Sequence, residues 1–222
     1  MANNATFSRR RFVKGLATGG ALAGLWPRQL WALKSPGHPT VLAGTDFRLS
    51  INETPVNFTG KPRSAVTVNG SLPAPLLRWR EGDTVNIRVD NAMPATSVFG
   101  RSTSIHWHGI ILPANMDGVP GMSFNGIAVG ESYQYRFKLG QSGTYWYHSH
   151  SGFQEQAGLY GPIIIDAAEP EPFAYDRDYV VLLSDWTDLN PGDLFARLKK
   201  MPSHDNCAKR TVADVIRDAQ DN

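Results

Sequence analysis

A series of short strand-like runs extends from about Thr40 to Asp166, with turn residues between them and little helical periodicity. The runs Thr84 to Val89 and Ser132 to Leu139 alternate with a period of two, so each strand has one buried face and one wet face. Two sheets that pack face to face cover both apolar faces. The pattern predicts an all-β domain over residues 40–167, arranged as a Greek-key β-sandwich. Further strands are predicted at Pro75 to Trp79, Ser104 to Ile111, Gly143 to His148 and Gly161 to Asp166.

A different kind of sequence follows this domain. Residues 168–177 contain Pro170 and Pro172, which favour extended backbone and predict a linker. Asp178 to Trp186 then has the composition of a buried strand, and two short helices are predicted at Asp193 to Lys200 and Val212 to Ala219. The stretch is too short to complete a second sandwich. Residues 178–222 are therefore interpreted as the beginning of an incomplete second domain.

The N-terminal segment has the pattern of an export signal. The run Ser8 to Lys14 reads Ser-Arg-Arg-Arg-Phe-Val-Lys, and the small, apolar run after it ends before Pro27. That run is shorter than the roughly 20 residues needed to span a bilayer. Ser-Arg-Arg-x-Phe-x-Lys resembles a twin-arginine signal, a receptor-read address. Residues 1–32 are predicted to be a signal peptide with no membrane span, and the mature protein is predicted to be periplasmic.

Charge and cysteine content restrict the partners and the source of stability. The formal net charge is +2, but the first 32 residues hold five basic residues and no acidic one. The remaining chain has more acidic than basic residues, so no nucleic-acid partner is expected. Cys207 is the single cysteine and cannot form a disulfide within the chain. The packed core must supply the stability.

Two histidine pairs, His106-Trp107-His108 and His148-Ser149-His150, lie in strand-like sequence. Residues i and i+2 of a strand lie on the same face, about 6.6 Å apart, so each pair projects two imidazoles from one side. If the two strands are neighbours, four imidazoles converge. Imidazole binds copper, zinc, iron and nickel, so the spacing predicts a transition-metal site without naming the metal. The alternative is a set of buried, hydrogen-bonded histidines with a structural role.

The residues around the two pairs make the pattern more specific. The first pair is followed by Gly109 and by the run Asp117 to Gly121, and the second lies between Gly143-Thr144-Tyr145-Trp146-Tyr147 and the run Ser151 to Gly161. These stretches resemble the first two of the four histidine motifs of multicopper oxidases, and the run after the second pair resembles the copper-resistance branch. The resemblance implies a cupredoxin-like fold and copper as the cofactor.

The resemblance also implies a role for each histidine. His106 would be a ligand of the type 2 copper, and His108, His148 and His150 would bind the type 3 pair. Asp117 matches an acidic residue that helps to deliver protons, although Asp-Gly is also a frequent turn dipeptide. In the family, a reducing substrate and dioxygen are the partners of the complete site.

Part of the family's machinery is not found in this sequence. The His-Cys-His run that holds type 1 copper is missing, because Cys207 has no histidine on either side. Whether the chain is itself an enzyme is therefore left open, and a missing C-terminal half is expected to complete it. The favoured interpretation is the N-terminal part of a periplasmic copper-resistance oxidase. The alternatives are a non-enzymatic copper-sequestering module and a cupin-like or zinc enzyme, which the lack of a glutamate between Ile110 and Gly121 disfavours.

Overall fold

The strands predicted between Thr40 and Asp166 form two main sheets. The structure is a computed structural model that describes residues 40–170, 172–203 and 211–220. The predicted signal segment and Cys207 lie outside these residues. In chain order the strands are β1 (Val41–Ala43), β2 (Asp46–Val56), β3 (Arg63–Val68), β4 (Leu76–Arg80), β5 (Thr84–Asn91), β6 (Ser102–Thr103), β7 (His106–His108), β8 (Ile127–Ala128), β9 (Ser132–Lys138), β10 (Gly143–His148) and β11 (Tyr160–Asp166).

The first sheet has the strand order β1-β4-β11-β10-β7 and the second has the order β3-β2-β5-β9. Strands β6 and β8 form a separate antiparallel pair. In the first sheet, β4 is parallel to both β1 and β11, whereas β10 is antiparallel to β11 and β7. In the second sheet, β2 and β5 are parallel, and their outer neighbours are antiparallel. The predicted all-β, cupredoxin-like sandwich is confirmed.

A layer of aromatic side chains joins the two sheets. Trp79 on β4 and Trp107 on β7 belong to the first sheet, and their ring centroids are 5.7 Å apart. Trp107 also contacts Tyr135 and Phe137 of β9 in the second sheet, with centroids 5.3 and 5.6 Å away. All four side chains are buried. The period-two alternation of β9 places Tyr135 and Phe137 on this inner face, as the sequence predicts.

The strand predicted over Ser104 to Ile111 is shorter in the structure. Only His106–His108 pairs with β10. After His108 the chain leaves the sheet and is held by Gln141 instead. The Gln141 side chain donates to the carbonyl oxygen of Gly109 and accepts from the backbone N–H of Ile111. These bonds replace the ladder bonds that a longer strand would make.

The strand predicted from Asp178 to Trp186 is wrong. This segment has no strand pairing among the described residues, and Tyr179, Val181 and Leu183 are exposed. A run of apolar residues forms a strand only where a neighbouring strand accepts its backbone hydrogen bonds. None of the described strands pairs with this segment, and the sequence pattern of the segment alone gives no information about such a partner. The assignment of residues 178–222 to a second domain stays a prediction.

The two predicted helices are present, as α1 (Pro191–Lys200) and α2 (Val212–Gln220). Asn190 caps α1, because its side-chain oxygen accepts from the backbone N–H groups of Gly192 and Asp193. The segment before α1 contacts the sandwich, where Trp186 packs on Phe58 with ring centroids 4.9 Å apart. No helix among the described residues is long and apolar enough to cross a membrane.

An ion pair at the end of β11 allows a test by pH. Two guanidinium nitrogens of Arg78 donate to the Asp166 carboxylate over 2.9 and 2.7 Å, and this hydrogen bonding lowers the pKa of Asp166. When the pKa of a carboxyl group is lower in the folded state than in the unfolded state, the group stabilises the fold at pH values above its unfolded-state pKa. This contribution is lost as the pH falls through the folded-state pKa. The pair is partly exposed, so we expect less than about 1 kcal/mol.

We expect Asp166→Asn to lose this small contribution at neutral pH and to make unfolding less pH-dependent below about pH 4. Urea unfolding of the variant and of the unchanged chain at several pH values measures both effects. Asp178→Asn is the control, since Asp178 is 3.8 Å from Arg78 and makes no hydrogen bond with it. Equal pH dependence in the two variants would contradict the role of Asp166.

Candidate metal centre

Strands β7 and β10 are antiparallel neighbours, and this pairing brings the two histidine pairs together. His106 lies opposite His148, and His108 lies opposite Trp146. Between these pairs, Trp107 lies opposite Tyr147, and both side chains are fully buried in the core. Because side chains alternate along a strand, the histidines occupy the outer face of the first sheet. Strand β7 is an edge strand, so the cluster lies on the outside of the sandwich at the border of this sheet.

The four imidazoles converge as the sequence predicts. The ring centroid of His106 is 5.5 Å from that of His108, 5.4 Å from His148 and 5.6 Å from His150. His108 and His148 are also 5.4 Å apart. One ring nitrogen from each of His106, His108 and His148 lies within 4.8 Å of the other two. His150 follows the end of β10 and borders this group of three.

Hydrogen bonds to backbone carbonyl groups determine which ring nitrogen His106 and His148 present. The Nδ1–H of His106 donates to the carbonyl oxygen of Asp117 over 2.8 Å, which leaves Nε2 free. The Nδ1–H of His148 donates to the carbonyl oxygen of Ser149 over 3.0 Å, which again leaves Nε2. A carbonyl oxygen only accepts, so each bond selects one tautomer. His108 differs, because its Nδ1 lies within hydrogen-bonding distance, 3.2 Å, of the Nε2 of His148, which accepts the bond in the absence of a metal.

The distance between His108 Nδ1 and His148 Nε2 fits a shared metal ion. Imidazole nitrogens bind first-row transition metals such as zinc at about 2.0 Å, and two such bonds spanning 3.2 Å enclose an angle of about 105°. This angle suits a four-coordinate ion. The ring nitrogens of His106, His108 and His148 all lie within 4.8 Å of one another, so His106 belongs to the same candidate site. A set of neutral imidazoles is also a donor set that copper accepts.

The sequence profile of the multicopper oxidase family matches residues 50–170, which include all four histidines. The chain belongs to the multicopper oxidase family. It is 60% identical to a copper resistance protein A homolog of Pseudomonas syringae pv. tomato and 56% identical to copper resistance protein A of Escherichia coli, over 95% of this chain in both cases. The family implies copper as the cofactor.

The chain spans about a third of the length of these relatives, 35% and 34% respectively. A solved mutant laccase from B. aclada has the same fold over 72% of this chain and 29% of its own, with 36% identity and a TM-score of 0.61. The predicted resemblance to multicopper oxidases and to their copper-resistance branch is confirmed.

Burial and one carboxylate act on His148 of this multicopper oxidase chain. Burial is the larger effect and lowers the pKa of His148, while Glu155 acts in the opposite direction. The Glu155 Oε2 atom is 2.7 Å from His148 Nδ1. A lowered pKa keeps the imidazole neutral, which is the form that binds a metal. Glu155 and the Ser149 carbonyl hold the ring so that Nε2 points at His108.

Asp117 lies beside His106, and its backbone does more than its side chain. Its carbonyl oxygen accepts the His106 Nδ1–H, while the carboxylate is 3.4 Å from the same nitrogen and 38% exposed. The residue also follows a short 3₁₀ turn, Ala114–Met116, and precedes Gly118. Asp117 therefore lies in a turn whose backbone positions a histidine, and the role of its carboxylate in proton delivery stays a prediction.

Three further side chains contact the site or its loop, and sequence reasoning gave no role to two of them, Gln154 and Glu155. The ring of Trp146 stacks on His148, with centroids 4.1 Å apart and planes inclined by 19°. Gln154 and Glu155 lie in the run Ser151 to Gly161, where Gln154 is fully buried and Glu155 contacts His148. The available signal was two neighbouring polar residues just after a histidine pair. Only the folded loop shows that they point in different directions.

Proposed function

We propose that this chain is the copper-binding N-terminal part of a copper-resistance multicopper oxidase. His106 is assigned to type 2 copper, and His108, His148 and His150 are assigned to the type 3 pair. The observation that carries the proposal is the 3.2 Å separation of His108 Nδ1 and His148 Nε2, which suits one ion, with His106 beside them. Membership of the family supports copper as that ion.

In the complete protein, bound copper supplies the redox chemistry that carries electrons from a reducing substrate to dioxygen and yields water. The residues of this chain orient the ligands. The carbonyl oxygens of Asp117 and Ser149 hold the Nδ1 protons of His106 and His148, so the Nε2 atoms would be the copper ligands. The Asp117 carboxylate, partly exposed and 3.4 Å from His106, is placed to pass a proton from solvent toward the cluster.

The open side of the cluster supports a role as one part of a larger site. His108 and His150 are exposed, and the cluster lies on the outer face of an edge strand. The chain covers about a third of its relatives' length, and its single cysteine has no histidine beside it. We assign the remaining cluster ligands and the type 1 site to the rest of the full-length protein. The twin-arginine pattern supports export to the periplasm.

A non-enzymatic copper-sequestering module is the second candidate. The same exposed, four-imidazole arrangement would bind copper without an electron-entry site. Dioxygen uptake with a phenol or Cu(I) as the reductant separates the candidates when it is measured on the chain and on the full-length protein. Turnover by the full-length protein supports the first candidate, and copper binding without turnover in both supports the second.

The copper site itself is tested with the double variant His106→Ala, His148→Ala. Each substitution removes one ligand, so we expect copper affinity to fall at least about 100-fold in a competition titration with a chelator. His204→Ala, which removes a histidine outside both pairs, is the control and should bind as the unchanged chain does. Unchanged affinity in the double variant would remove the site assignment.

A further inference from the structure

Gln154 is a polar side chain with no solvent exposure, located in the loop after the second histidine pair. Glutamine is seldom fully buried, because an amide without partners costs free energy in the interior. The Oε1 atom of Gln154 accepts from the hydroxyls of Thr103 at 2.7 Å and Ser149 at 2.9 Å. The Nε2 atom donates to the carbonyl oxygens of Phe99 at 3.0 Å and Ser102 at 2.8 Å. The amide therefore uses its full capacity of two acceptor and two donor bonds.

The hydrogen-bond partners of Gln154 lie just before the first histidine pair and within the second. Thr103 comes shortly before His106, and Ser149 separates His148 from His150. Ser149 continues the network, because its Oγ also accepts from the backbone N–H of Ser151 at 3.0 Å. One buried amide thus links the chain before the first pair to the chain within the second.

A second connection joins the same two segments at His150. The backbone N–H of His150 donates to the Ser104 Oγ over 3.0 Å, and Ser104 and Ser151 share a hydroxyl hydrogen bond of 2.9 Å. Ser104 and Ser149 are buried. These bonds matter because β10 ends at His148, so the pairing of β7 and β10 does not extend to His150.

We propose that Gln154 is the positioning residue that holds His150 and Ser149 against the segment before His106. Strand pairing alone aligns His106, His108 and His148. The buried network around Gln154 supplies the order that the sheet does not give to His150. A fully satisfied buried network favours one arrangement, since any other leaves polar groups unpaired. The inference rests on the proposed copper site for its functional consequence, but the positioning itself does not depend on metal.

Gln154→Met tests the hydrogen bonds, because methionine has a similar length and none of the amide's donors and acceptors. We expect copper affinity to fall about 10- to 100-fold, as for other residues that orient metal ligands. Gln134→Met makes the same chemical change at an exposed position of β9, and Val85→Ala destabilises the core without contacting the network. Both controls should bind copper as the unchanged chain does, at a temperature where every variant is folded.

Backbone hydrogen exchange of the metal-free chain gives a second measurement. We expect exchange at the His150 and Ser151 amides to accelerate at least about tenfold in Gln154→Met compared with Val85→Ala. If Gln154→Met does not fold, Ser149→Ala removes one link only, and its expected effects have the same direction and smaller size.

The copper titration and the exchange measurement test different parts of the proposal. Copper affinity and amide exchange that match those of Val85→Ala would overturn the role of Gln154. If the unchanged chain takes up no copper, the proposed function fails, and the exchange measurement alone decides whether Gln154 positions the loop.

Discussion

Gly118→Ala is expected to destabilise the protein by about 3–5 kcal/mol, among the largest effects of any single substitution. Gly118 has a φ of +74°, and a Cβ atom there would lie 1.8 Å from the carbonyl oxygen of Ile105 and 3.2 Å from the Tyr135 hydroxyl. Ile105 is fully buried, so it cannot move away at low cost. The turn that carries Asp117 and Gly118 must shift instead.

This shift should also disturb the proposed copper site. The Asp117 carbonyl oxygen holds the Nδ1 of His106 at 2.8 Å, and Ile105 immediately precedes that histidine. We therefore expect Gly118→Ala to weaken copper binding as well as folding, even where the variant is still mostly folded.

Gly121→Ala is the matched control for this variant. Gly121 also has a positive φ, +87°, but a Cβ atom there would meet nothing within 4 Å. Gly121→Ala should lower the free energy of unfolding only by the cost of a positive φ at a residue with a Cβ atom, about 1–2 kcal/mol. Urea unfolding measures the free energy of both variants, and a chelator competition measures their copper affinity. An equal loss of stability in the two variants would show that the contact with Ile105 is unimportant.

Trp107→Ala is expected to cost about 3–5 kcal/mol, because it opens a cavity at the centre of the aromatic layer. Its ring contacts Trp79 and Tyr147 in its own sheet and Tyr135 in the other, with centroids 5.3 to 6.0 Å away. Loss of this side chain weakens the packing between the sheets directly beneath the histidines. Thermal and urea unfolding measure the loss.

Trp107→Phe gives a more specific test of the same position. The indole Nε1 of Trp107 is buried and has no hydrogen-bond partner among the described residues. Phenylalanine removes this unpaired donor and keeps most of the ring, so we expect a loss below about 1.5 kcal/mol. Ile111→Ala, at a position that is 79% exposed, is the surface control. A loss in Trp107→Phe as large as that in Trp107→Ala would contradict the cavity explanation.

Local periodicity accounts for the parts of the fold that were predicted well. The runs Thr84 to Val89 and Ser132 to Leu139 form strands. Alternation with a period of two places all apolar side chains on one face of a strand, whereas in a helix it would spread them around the axis. The prediction for Asp178 to Trp186 depended on apolar composition instead of alternation, and no strand forms there. An apolar run of strand length indicates that its side chains would be buried in a sheet. It does not show whether a neighbouring strand is present to pair with it.

In the histidine site, too, the sequence predicted the local geometry but not the contacts between distant residues. The spacing within each pair determined that its two imidazoles share a face, since that depends only on the strand period. The roles of Gln154 and Glu155 could not be read from the sequence, because their neighbours in space, Phe99 and Thr103 for one and His148 for the other, depend on how a loop folds over the sheet.

The sequence alone determined that this chain forms β-strands, that each histidine pair presents two ligands on one side and that the pairs resemble those of multicopper oxidases. Only the tertiary structure decided that His106 lies opposite His148, that these two histidines present Nε2 while His108 presents Nδ1, and that the cluster lies on an outer face. The physical reason is the range of the interactions. Side-chain alternation is a property of one strand, whereas pairing register, tautomer and burial depend on contacts between residues far apart in the chain.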